Sequence, residues 1–162
     1  MKQLITPLLA LMLLSGCKVQ NQNNQKTNPM TSKKNKEVVI RFNKEFFELG
    51  NTSITKELLA DSFINHTAPA NTSKDASVMI QFITGFHKGF SDISVQINEV
   101  LAEGDKVSLR KTITATHTGD FMGKKASGKK LELNVIEIDV LKDGKITDHW
   151  RKNDFAQILQ GL

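Results

Sequence analysis

The sequence predicts an α+β domain in which helices cover one face of a strongly curved antiparallel sheet. Three observations carry this expectation. Apolar residues recur at helical spacing in the first half of the chain, and from Ile93 onward the period changes to two. Three long alternating stretches then follow one another: Lys106–Thr118, Lys130–Leu141 and, after the turn dipeptide Asp143-Gly144, Ile146–Trp150. Finally, 162 residues suffice for one compact domain and are too few for two.

Residues 1–17 read as a targeting segment. Lys2 precedes the apolar run Leu4–Leu14, which is too short to span a membrane, and Leu14-Ser15-Gly16-Cys17 has the form of a bacterial lipobox. Cys17 is the only cysteine in the chain and stands where lipidation requires it. The expected product is a lipoprotein anchored at the cell envelope, with no disulfide within the chain. Residues 18–36, rich in Asn, Gln and Lys, are expected to form a flexible tether, and residues 37–162 the folded domain. Six of the 22 Lys+Arg precede Glu37 and no acidic residue does; the remaining 16 face 17 Asp+Glu, a net of −1. The excess positive charge belongs to the N-terminal segment, which fits a surface of anionic headgroups. A nucleic-acid partner is not expected, because the folded part has no basic excess.

Within the domain, Val39, Phe42, Phe46 and Leu49 form one apolar stripe on a helix over Glu37–Leu49, ended by Gly50. Ile54–Leu59 reads as a short helix, Ser62–Asn65 as a short strand or turn, and Asn71–Ser73 as loop. Ser73 is the expected N-cap of a third helix, Lys74–Lys88, whose stripe is Met79, Phe82, Ile83 and Phe86. Gly85 and Gly89 would let that helix approach the sheet closely. Along the first long strand, Val107, Leu109, Ile113, Ala115 and His117 share a face. In the next, Leu133, Val135, Glu137 and Asp139 alternate with Asn134, Ile136, Ile138 and Val140, so this strand is expected to be covered on both faces. Phe155–Leu159 is a short terminal helix or tail. The cavity between helices and sheet is expected to be lined by Phe42, Phe46, Phe82 and Phe86.

Candidate chemistry is confined to acids and bases. Four histidines and one cysteine show no metal-ligand spacing, and no cofactor motif is present, so neither a metal nor a cofactor is expected. His117 either faces the pocket or caps a strand end. Glu137, a carboxylate on an apolar face, must be paired, protonated or exposed to a cavity. His149 and Arg151 share one face of the last strand; Trp150, on the other, is expected to be a core residue.

Together, Phe47–Gly50, Leu59–His66, Gly89-Phe90-Ser91-Asp92, Glu103-Gly104-Asp105, His117-Thr118-Gly119, Asp143-Gly144-Lys145-Ile146, Asp148-His149-Trp150 and Asp154-Phe155 make the chain resemble the SnoaL-like polyketide and ester cyclases of the nuclear transport factor 2-like superfold. The resemblance runs from about Val38 to Leu159. It implies a cone-shaped domain, three N-terminal helices against the curved sheet, and a pocket between them. In its best-known activity, a cofactor-free aldol ring closure, an aspartate acts as acid/base with an asparagine, a glutamine and a histidine. Mapped onto this chain, the asparagine is Asn65, the glutamine falls on Val135, the histidine on Glu137 and the aspartate on Arg151.

Two functions follow as expectations. One is a cyclase or isomerase acting on a small apolar carbonyl compound. Glu137 would be the base and Arg151 the oxyanion stabiliser, with Asn65, His117 and His149 orienting the substrate. The other is a non-catalytic envelope lipoprotein that holds a small hydrophobic ligand, with Glu137 and Arg151 paired across the cavity. A homodimer is left open.

Overall fold

A computed structural model describes residues 29–162; the targeting segment with Cys17, and most of the expected tether, lie outside them. The chain forms α1 (Pro29–Phe42), which continues as a π-helical segment over Asn43–Glu48, a 3-10 turn (Thr52–Ile54), α2 (Thr55–Leu58), β1 (Leu59–Asn65), α3 (Ala76–Gly89), β2 (Phe90–Glu103), β3 (Lys106–His117), β4 (Lys130–Lys142), β5 (Lys145–Asn153) and α4 (Phe155–Gly161). The sheet order is β1-β5-β4-β3-β2, antiparallel except for the parallel β1–β5 pair. The fold is therefore α+β, with a curved five-stranded open sheet.

The core lies between the concave face and the helices. Val107, Leu109, Ile113 and Ala115 of β3 and Leu131, Leu133 and Val135 of β4 are all buried there, as their parity requires. Asp143 and Gly144 both take positive φ, 51° and 77°, the geometry that lets a two-residue turn follow the twist of β4 and β5. Gly119 is needed for a different reason. Thr118 and Gly119 both donate backbone N–H bonds to the Gly89 carbonyl, and a Cβ on Gly119 would stand 2.4 Å from the Lys88 carbonyl oxygen.

Several elements differ from expectation. Helix α1 already includes residues 29–36, assigned above to the tether, because Asn35 is buried and donates from Nδ2 to the Gly104 carbonyl at the β2–β3 turn, 3.0 Å. A buried polar residue that caps a turn of the sheet can order a segment with little apolar content. The apolar stripe then changes phase: the wider π-helical turn puts Phe47 inside at 3% exposure and turns Leu49 out at 69%. Strand β1 is longer than the segment expected at Ser62–Asn65. Helix α3 is capped by Asp75, not Ser73: Asp75 Oδ1 accepts from the Ser77 backbone N–H at 2.8 Å. Replacing Asp75 by alanine should cost about 1 kcal/mol of stability in a urea titration, the usual loss for a helix cap.

The largest correction concerns the convex face. Strand β4 is covered on one side only, and Ile136 and Ile138 are 55% and 44% exposed on the other. Trp150, paired with Ile138 across β4 and β5, is likewise on the outer face rather than in the core, where its ring stacks on His66 at 4.1 Å. Alternation of apolar residues on both faces therefore does not mean two covered faces in this strand.

Candidate functional site

Where α3 stands off the open end of the sheet, it leaves a cavity of about 430 Å³. Met79, Phe82, Ile83 and Phe86 line it from α3, and Ile113, Leu133 and Val135 from the strands. Its polar lining includes Asn65 and Thr67 from the end of β1, Lys111 from β3, and Arg151, Lys152 and Asn153 from β5. The expected residues Phe82, Phe86, Val135, Asn65 and Arg151 thus meet at one cavity. Phe42, Phe46, Glu137, His117 and His149 do not line it.

The two phenylalanines fall short for a packing reason. Phe42 and Phe46 stack on one another at 4.9 Å, are 1% and 0% exposed, and fill the core behind the cavity. Phe47, brought inward by the π-helical turn, reaches the cavity instead.

Glu137 and Arg151 are cross-strand neighbours on the concave face, yet Glu137 is paired elsewhere. Its Oε2 accepts from Lys111 Nζ at 2.7 Å and its Oε1 from Asn43 Nδ2 at 2.6 Å; Lys111 Nζ also donates to Asn43 Oδ1 and sits 3.9 Å from the centre of the Phe47 ring. Both side chains of the ion pair have no exposed surface. Burial alone would raise the Glu137 carboxyl, but Lys111, His149 and the Asn43 amide outweigh it and hold it below the usual carboxylate range. Burial pushes the Lys111 ammonium below the usual lysine range, against the pull of Glu137. Each oxygen of Glu137 is thus held by a donor, and the carboxylate does not line the cavity.

Next to this pair, His149 Nδ1 lies 2.8 Å from Asp139 Oδ1, and both groups are buried. Burial raises the Asp139 carboxyl and His149 opposes the rise. His117, fully buried, stacks on Phe90 at 5.0 Å and shares a hydrogen bond between Nδ1 and Ser127 Oγ, 3.0 Å. It holds the base of the loop 118–129 rather than a ligand.

Arg151 is the opposite case. Its guanidinium makes no hydrogen bond or ion pair among the described residues and lies 5.9 Å from the Phe82 ring centre. Burial, only partly offset by Glu137, holds it below the usual arginine range. Asn65 is fixed by Thr67, whose backbone N–H and Oγ1 both donate to Oδ1, 3.0 and 3.1 Å. That orientation leaves the Nδ2 donors without a partner among the described residues. Thr67 Oγ1 also accepts from the Arg151 backbone N–H at 3.1 Å, so one hydroxyl ties together Asn65 and Arg151, two polar residues of the lining.

Residues 37–162 match the model of the SnoaL-like polyketide cyclase family. The chain belongs to this family. Among solved structures, it is similar to a candidate polyketide cyclase of Bacillus cereus, at 25% identity over 83% of this chain and 84% of that one, with a TM-score of 0.71. AclR of Streptomyces galilaeus, described as a candidate hydroxylase, shares 24% identity over 80% and 96%, TM-score 0.70. IdmH of Streptomyces antibioticus shares 22% over 79% and 99%, TM-score 0.68. No curated relative matches the sequence. Family membership suggests a cyclase- or isomerase-type function, while these structural likenesses speak for the fold.

Of the residues in and around the site that escape the sequence reading, Lys111 and Asn43 each carry a signal. Lys111 occupies an inward position of β3, between Leu109 and Ile113, where a lysine demands a buried anion. Asn43 lies within the apolar stripe of the first helix, four residues after Val39, whose carbonyl accepts from its Nδ2 at 3.0 Å. A buried lysine and a buried carboxylate facing the same core name each other as partners.

Proposed function

We propose that the cavity binds a small, mainly apolar compound through a carbonyl or carboxyl oxygen, with Arg151 and Asn65 as its donors, and that the chain acts as a ligand-holding member of its family. The observation that carries this reading is the state of Glu137. Both of its oxygens are occupied, and the cavity lining contains no carboxylate and no imidazole among the described residues. An arginine cannot take the carbon acid's proton at neutral pH. Arg151 and Asn65 can grip an oxygen but cannot take a proton from carbon, and the Lys111 ammonium is engaged by Glu137 and Asn43. The lipobox reading of Cys17 would place this binding at the cell envelope; Cys17→Ser should then move the protein out of the membrane fraction, and unchanged fractionation would count against an anchor.

A second reading is favoured by family membership: cofactor-free cyclisation or isomerisation, with Arg151 stabilising an enolate oxygen. Glu137 would have to leave Lys111 to serve as base. Native mass spectrometry of the purified full chain, together with deuterium exchange into 1,3-dicarbonyl compounds, separates the two. A retained small molecule with no exchange above background is the expected result. Exchange that disappears in Glu137→Gln, in a variant still folded, would establish the catalytic reading instead.

A further inference from the structure

We propose that the ligand is a monocarboxylate with an apolar body, and that Arg151 is its carboxylate receptor. This rests on the cavity being a ligand site, as proposed above, and adds the sign of the ligand's charge. The charged groups lining the cavity are Lys111, Arg151 and Lys152; no aspartate or glutamate among the described residues lines it. Within the buried cluster, Glu137 is bonded to Lys111 and Asp139 to His149, and neither carboxylate lines the cavity. Arg151 is left without a hydrogen-bonded or ion-paired carboxylate among the described residues.

A desolvated guanidinium without a counter-ion is costly, and the cost is recovered when an anion arrives. Five N–H donors in a planar fork match the two oxygens of a carboxylate. The Asn65 amide, its orientation fixed by Thr67, adds a donor that a carboxylate can also accept. The set is poor in acceptors for a hydroxyl or amine head group: Asn65 Oδ1 already accepts from two donors, and Asn153 Oδ1 and Thr67 Oγ1 each accept from one. The rest of the lining, including Phe82, Ile83, Phe86, Leu133 and Val135, accommodates an apolar body.

The experiment measures binding of two acid–ester pairs to the full chain by calorimetry at pH 7.5: decanoate with methyl decanoate, and 2-naphthoate with methyl 2-naphthoate. 2-Naphthyl phosphate is a fifth probe. At least one acid should bind ten-fold or more tightly than its own ester and more tightly than the phosphate. In Arg151→Gln the acid should lose its advantage over the ester measured in the same variant; Arg151→Lys, which keeps the charge but not the fork, should retain part of it. An ester that binds as well as its acid overturns the carboxylate assignment and leaves the ligand site standing. Tighter binding of the phosphate overturns it in favour of a phosphorylated head group. A preference for the acid that survives in Arg151→Gln overturns the role of Arg151. Binding of none of the five overturns both the assignment and the ligand site beneath it.

Discussion

Glu137→Gln is expected to destabilise the domain by about 3–5 kcal/mol, because it leaves Lys111 buried without its counter-ion. The loss goes beyond charge. Glu137 offers one oxygen to Lys111 Nζ and the other to Asn43 Nδ2. A glutamine has a single oxygen, so its own NH₂ must face one of these donors. The defect has a pH signature. In the variant, Glu137 no longer opposes the burial that already holds the Lys111 ammonium below the usual lysine range. Between the lowered folded pKa and the ordinary lysine pKa the unfolded chain binds more protons than the folded one, so the stability of the variant should rise with pH through that window. In the unsubstituted protein the Glu137 carboxyl is held below the usual range. Its contribution is therefore present above the unfolded pKa and is lost only as pH falls through the lower folded value. Adding Lys111→Met should restore much of the stability, since an amide at position 137 can then exchange two hydrogen bonds with Asn43. Urea titrations of the two single variants and the double variant test this. A double variant no more stable than Glu137→Gln alone would show that the ion pair is not the source of the loss.

How much of the fold and of the site is legible in the sequence depends on which physical rule decides each residue. Strand parity is strict, so the inward set of β3 and β4, including His117, Glu137 and Asp139, can be read from alternation alone. The turn at Asp143-Gly144 is equally legible, because few dipeptides accept two positive φ values. Helix phase is less secure. The π-helical turn at Asn43–Glu48 exchanges Phe47 for Leu49 on the inner face, and nothing in a 3.6-residue period announces it. Partner choice is the hardest to read. Glu137 has Arg151 directly across on β5 and Lys111 diagonally across on β3, and strand parity on the last hairpin points only to the first. The π-helical segment decides the matter by bringing Asn43 and the Phe47 ring to Lys111, which places the ammonium beside Glu137 and leaves Arg151 to the cavity. A local irregularity in the first helix therefore determines which cation meets the ligand.

Phe46→Ala should cost about 3–5 kcal/mol, as for a large ring removed from a closed core. Its side chain has no exposed surface, stacks on Phe42 at 4.9 Å and meets the edge of Phe47 at 5.1 Å. Because Phe46 does not line the cavity, its removal opens a new void rather than enlarging one that already exists. Phe82→Ala, at a position that does line the cavity, should cost clearly less, and urea titration of the two variants compares them directly. The same geometry predicts coupling. Phe46 supports Phe47, and the face of Phe47 carries the Lys111 ammonium, so loosening Phe46 weakens the environment that Glu137→Gln also disturbs. The Phe46→Ala/Glu137→Gln double variant should therefore depart from additivity by more than about 0.5 kcal/mol. Phe46→Ala combined with Asp75→Ala, a helix cap with no partner in this network, should add within about 0.3–0.5 kcal/mol. Strict additivity in both pairs would mean that the aromatic stack and the ion pair are energetically separate, and that the stack does not help to decide which cation Glu137 holds.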